Sequence, residues 1–167
     1  MRNRKRWVNF IAILTLLVAF VIGKYQREQG FEEQVSKIFP DVELEKLHDA
    51  EQIFMLGNTS GFLSTASSNG YGGPLTVGVE TRNDTLRKVH LLKERETYTF
   101  LVKLINEKFF KQFEGMRISD AFSVPEEVEV VSGATVSSLA FANAIRQASH
   151  SLATRSSNFK PEPINKT

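Results

Sequence analysis

Between Val131 and Ile145 the chain reads VSGATVSSLAFANAI, which places Ser132, Gly133, Ala134, Thr135, Ser137 and Ser138 just ahead of an apolar run with helical spacing. Small residues at a helix start have a chemical use. The first turn leaves backbone N–H groups without intrahelical acceptors, and a phosphate can accept them where no bulky side chain obstructs it. Ser and Thr hydroxyls add further donors. The same residue types also cap helices that bind nothing, so Ser132 or Thr135 as a plain N-cap is the alternative reading of this stretch taken alone.

A second stretch, NGYGGPLTVGV from Asn69 to Val79, sets Gly70, Gly72, Gly73 and Gly78 around Tyr71. Glycines allow backbone to approach a flat ligand where any Cβ would intrude. The plainer alternative is a tight turn before a strand, with Pro74 fixing its entry. The spacing is not the G-x-G-x-x-G dinucleotide fingerprint, and no Gly-Lys-Ser/Thr follows as in a phosphate loop.

Composition removes several other chemistries. The 167 residues contain no cysteine, which excludes disulfides, cysteine-held zinc and protein-held iron-sulfur clusters, so any redox role requires an organic cofactor. His48, His90 and His150 are far apart and lack a matching carboxylate motif, so no metal site is expected. Of the 21 basic residues four, Arg2, Arg4, Lys5 and Arg6, cluster at the N-terminus, leaving 17 against 19 acidic ones. The body is slightly acidic with no basic stripe, which argues against nucleic acid as a partner. No G-x-S-x-G elbow accompanies the serines and threonines, so a hydrolase has little support.

The elements that must position these residues follow from patterning. Basic residues 1–6 precede an uncharged segment, 7–23, which at about 1.5 Å per residue spans roughly 26 Å as a helix, within the range of a membrane span. A cleaved signal peptide would need a small-x-small site, which IGKYQREQGFEEQ does not offer. A core helix would need a polar face, and Asn9 and Thr15 do not make one. The expectation is an uncleaved anchor with a cytoplasmic N-terminus and residues 25 onward outside.

The sequence then predicts a short helix over Glu32–Pro40. Strands in EQIFMLGN and GFLSTASS flank a Gly57-Asn58 turn, and PLTVGVET and TLRKVHLLKE form a hairpin about RND. Thr99–Gly115 has helical spacing, as one helix or two, and EEVEVV is strand-prone. A helix from about Val136 to Leu152 turns Phe141, Ile145, Ala148 and Leu152 to one face, and 154–167 reads as a disordered tail. The fold class is α+β: a small antiparallel sheet with packed helices over 24–153, behind one transmembrane helix.

SGATVSS at Ser132–Ser138, with NGYGGPLTVGV upstream and KERET at Lys93–Thr97 between them, resembles the FMN-binding domain of the covalent flavoprotein subunits of the Rnf complex and the sodium-pumping NADH:quinone reductase, also found in nitrous-oxide-reduction regulators. The likeness covers roughly Phe39–Leu152. It implies FMN held through a phosphoester to the threonine that ends the motif, here Thr135, and attached by a flavin transferase that uses FAD. By resemblance Ser132, Gly133 and Ala134 form the phosphate-side turn, and Ser137 and Ser138 donate to the phosphate. Gly70, Tyr71, Gly72, Gly73 and Pro74 border the ring, with Glu96 and Thr97 as further contacts. The chain departs from the pattern in having Glu129 where the family usually has aspartate, and ETYT at Glu96–Thr99 in place of E-T-P-G. The implied role is electron relay within a membrane complex whose partner subunits carry iron-sulfur or flavin centres. A binding or sensory module without covalent flavin is the alternative.

Overall fold

The computed structural model describes residues 2–40, 44–46, 52–57 and 61–156. The chain divides into two compact units, Met1–Asp41 and Val42–Thr167.

The first unit is one helix, α1, Arg2–Ile38. The sequence suggests two elements here, an apolar span and a short helix before Pro40. They are continuous, because Lys24 to Gln29 are mostly good helix formers and Gly30 alone is too weak a breaker to stop a helix already running. Large apolar side chains from Phe10 to Ile22 are exposed on all sides of α1, at 48–74% of their full accessibility. Among the described residues no helix is long and apolar enough to cross a membrane. The segment expected as an anchor, residues 7–23, lies within α1.

The second unit is α+β. Five antiparallel strands lie in sequence order: β1 Leu44–Lys46, β2 Ile53–Leu56, β3 Gly61–Asn69, β4 Pro74–Arg82 and β5 Thr85–Glu94. The strands expected from alternation are present, and β1 is an addition too short to show periodicity. The hairpin at RND closes through Asn83 and Asp84, both at positive φ (52° and 58°), the primed turn that matches strand twist. Asn58 of the other expected turn lies outside the described residues.

Thr99–Gly115 resolves into two pieces, α2 Tyr98–Asn106 and a 3₁₀ helix Phe109–Phe113, separated by Lys108 at φ 55°. The predicted strand in EEVEVV does not form. Glu129 is instead paired through both backbone groups to the Gln112 side chain, at 2.8 and 3.1 Å, and Glu127 and Val128 N–H turn back onto the Ser123 carbonyl. A side chain has taken the ladder's place.

Helix α3, Thr135–Ser156, lies across β3 and β4. Its Phe141, Ile145, Ala148 and Leu152 are buried as the periodicity requires, against Leu75, Val77 and Val79 of β4 and the phenylalanines Phe109 and Phe113. Burying one such large apolar side chain contributes about 1.5–3 kcal/mol, so this layer fixes α3, and with it Thr135, to the sheet. The buried Ser64 hydroxyl adds a cross-link, donating to the Ala148 carbonyl at 2.7 Å. α3 continues to Ser156, past the residue at which the tail is expected to start; residues 157–167 lie outside the described part.

Candidate functional site

The glycine stretch is a β3–β4 hairpin loop. Asn69 pairs with Pro74, and Gly70 N–H donates to the Gly73 carbonyl at 2.9 Å. What fills this loop is the protein itself. The Glu96 carboxylate accepts Tyr71 N–H at 3.0 Å, Gly72 N–H at 2.8 Å and its neighbour Thr97 N–H at 2.8 Å. A Cβ on Gly70 would collide with that carboxylate, and one on Gly72 would lie 2.6 Å from Thr97 N and 2.7 Å from the Arg95 carbonyl. Gly70 and Gly72 are thus required by the 95–97 segment. Gly78 is likewise a packing position, in mid-β4, where Leu63 and Leu92 would meet its Cβ at 3.1 and 3.2 Å. The tight-turn reading holds for this stretch, with Pro74 as the first residue of β4.

Glu96 is buried, at 8% exposure. Burial pulls its carboxyl upward, but hydrogen bonds from Thr97 N–H, Gly72 N–H and Tyr71 N–H, with the Ser137 hydroxyl close by, outweigh that and hold it below the ordinary carboxylate value. The Ser137 hydroxyl has no partner of good hydrogen-bond geometry although it is buried. It lies near enough to the carboxylate to favour its charge, so we read a loose contact joining the glycine loop to the first turn of α3. Tyr71 remains exposed and stands edge-on to Phe100 of α2, centroids 5.1 Å apart. Thr97 caps α2 through its backbone, accepting Phe100 and Leu101 N–H.

The second stretch differs in being open. Gly133 takes φ 75°, the left-handed conformation that glycine adopts without cost, and turns the chain into α3 at Thr135. Ala134 is buried and its N–H returns to the Val131 carbonyl at 2.9 Å. Ser138 is also buried, and its hydroxyl accepts Val131 N–H at 3.1 Å while donating to the Ala134 carbonyl at 3.0 Å. That hydroxyl braces the turn and has no proton left for a phosphate. Ser132, Gly133 and Thr135 face solvent. Among the described residues nothing bonds the Thr135 hydroxyl, and the N–H groups of Thr135, Val136 and Ser137 have no acceptor. An exposed hydroxyl beside three open N–H groups at a helix start fits a phosphate attached to that hydroxyl.

One residue near this turn has no signal in the motifs. Lys103, in the last turn of α2, brings Nζ to 2.8 Å from where a Gly133 Cβ would stand. In the sequence it is one more lysine on an amphipathic helix, and only the fold brings it to the turn. The histidines are engaged elsewhere. His90 Nε2 lies 3.0 Å from Glu80 Oε2, and His150 Nε2 lies 2.9 Å from the Asp120 carbonyl oxygen. His48 is outside the described residues, and no metal-holding cluster occurs among those described.

Comparison with known proteins bears on the cofactor class. A 99-residue stretch is 33% identical to the urocanate reductase of Eggerthella lenta, covering 58% of this chain and 14% of that protein. The match is thus to a small part of a much longer relative. Residues 70–150, which run from the glycine loop through Glu96 and Lys103 to α3, match the FMN-binding domain family. That match, over slightly less than half of the chain, makes residues 70–150 similar to a domain that binds FMN.

Proposed function

We propose that this chain is a membrane-anchored, extracytoplasmic flavoprotein that carries FMN through a phosphoester to Thr135 and relays electrons to partner subunits. The observation that carries the reading is the Thr135 hydroxyl, exposed and unbonded at the start of a helix that the core holds rigidly. Attachment by a transferase using FAD forms the Thr135 oxygen–phosphorus bond and breaks the pyrophosphate bond, with AMP leaving and the hydroxyl proton passing to the transferase. FMN, once bound, supplies one- and two-electron chemistry. The chain's part is to hold it. Ser132, Gly133 and Ala134 shape the turn, the open N–H groups receive the phosphate, and Tyr71 and Phe100 offer an aromatic edge nearby. Glu129 keeps its side chain exposed six positions before Thr135, where the transferase would meet it.

A tether suits a compartment with little free FMN, because a covalent cofactor cannot be lost to dilution. The band of exposed apolar side chains on α1, behind four basic residues, supports an anchor with its N-terminus in the cytoplasm. Lacking cysteine, the chain needs partners to supply the next carrier. The match to a small part of a reductase supports a module that passes electrons to a separate reducing centre. Coexpression with a flavin transferase is expected to add the mass of FMN, less water, to the Thr135 peptide, and Thr135→Ala to abolish both that mass and in-gel flavin fluorescence. Fluorescence persisting in Thr135→Ala would remove the assignment, and unmodified wild-type protein beside an active transferase would favour the sensory alternative.

A further inference from the structure

We infer that Lys103 is the cation that holds the phosphodiester on Thr135, an assignment that rests on the reading of Thr135 as the attachment point. Leu104, fully buried, fixes the last turn of α2 in the core, and its neighbour Lys103 is thereby carried to the attachment turn. The ammonium occupies the space beside Gly133 that a side chain there would claim. A lysine near a helix C-terminus is favoured by the helix dipole in any case, which explains its place in α2 but not its reach over a turn of another segment. Among the described residues Lys103 has no ion-pair partner. The buried carboxylate of the glycine loop, Glu96, is already engaged by three backbone N–H groups. The ammonium thus stands against the residue two positions before Thr135, and the N–H groups of Thr135, Val136 and Ser137 have no acceptor among the described residues. A phosphodiester brings the single negative charge that this arrangement lacks, and a compact ammonium suits it without demanding bidentate geometry.

The test compares flavinylated wild-type protein with Thr135→Val from the same coexpression, both pulsed with acetic anhydride and read by peptide mass spectrometry. Acetylation at Lys103 is expected to be slower in the flavinylated protein by about threefold or more, since an ammonium held against an anion is both shielded and less often free. Lys88 on β5 should react equally in the two. Equal rates at Lys103, with flavin mass present on the Thr135 peptide, would overturn the inference and leave the attachment standing; absence of that mass would overturn the attachment itself. A second reading separates charge contact from cover by the ring. The ³¹P resonance of the diester should move in Lys103→Gln and return toward its original position in Lys103→Arg. A resonance indifferent to Lys103→Gln overturns the inference even where acetylation is slowed.

Discussion

The loop at Gly70–Pro74 and the turn at Ser132–Ser138 look alike as sequence, each a crowd of small residues, yet the folded chain uses them oppositely. The first is filled from within, its amides taken by the Glu96 carboxylate and its missing Cβ atoms replaced by the 95–97 segment. The second keeps a hydroxyl and three first-turn amides open, and beside Gly133 it meets only the flexible end of a lysine. Small residues allow close approach, but they do not say by what. One region is filled scaffold and the other keeps open groups, and Ser137 against Glu96 is where they touch.

Substitutions should separate the two regions by size of effect. Gly72→Ala is expected to cost most, about 3 kcal/mol in denaturant unfolding, because its Cβ meets backbone on two sides and neither can yield without moving the loop. Replacing Glu96 by Gln comes next, at about 2 kcal/mol, since three amides lose a charged acceptor. The same residue sets a pH dependence. Its folded carboxyl lies below the ordinary 4.5, so its contribution is complete above that pH and fades as pH falls through the folded value. Stability of the wild type should therefore drop on acidification below about pH 4.5 more steeply than that of Glu96→Gln; parallel curves would show that the carboxylate is not the keystone. Gly133→Ala should cost least, about 1 kcal/mol from the left-handed backbone, since Lys103 can swing aside. Its larger effect should fall on flavin occupancy after coexpression. Were Gly133→Ala as destabilising as Gly72→Ala, the contrast between a filled loop and an open turn would collapse.

Much of the fold was legible because its signals are local. Alternation marked β2 to β5, the RND turn marked their last hairpin, and the spacing of Phe141, Ile145, Ala148 and Leu152 marked the face of α3 that the core covers. The strand expected in EEVEVV failed for a nonlocal reason, the Gln112 side chain capturing the backbone of Glu129. The join of the two N-terminal segments into α1 failed to show because a single glycine reads as a boundary in sequence but costs a helix only about 1 kcal/mol. Thr135 stands out from its motif in the sequence, and in the fold it is exposed as the first residue of α3. Glu96 was expected to touch the flavin ring, and the hydroxyl of Ser138 to reach the phosphate; both bond to the chain itself.

By itself, the sequence determined the chemistry on offer: no thiol, a hydroxyl at an expected helix start within a stretch that matches the FMN-binding domain family, and an apolar segment behind basic residues. Composition and short-range spacing suffice for that, because they limit which bonds a chain can make. Only the tertiary structure decided which of these groups the protein consumes in holding itself together and which it leaves free. That division depends on residues 20 or more positions apart coming together, as Glu96 accepts the Gly72 N–H and as the Lys103 ammonium fills the space a Gly133 side chain would claim. Such meetings are set by how α2 and α3 pack around a shared core, which no local pattern records.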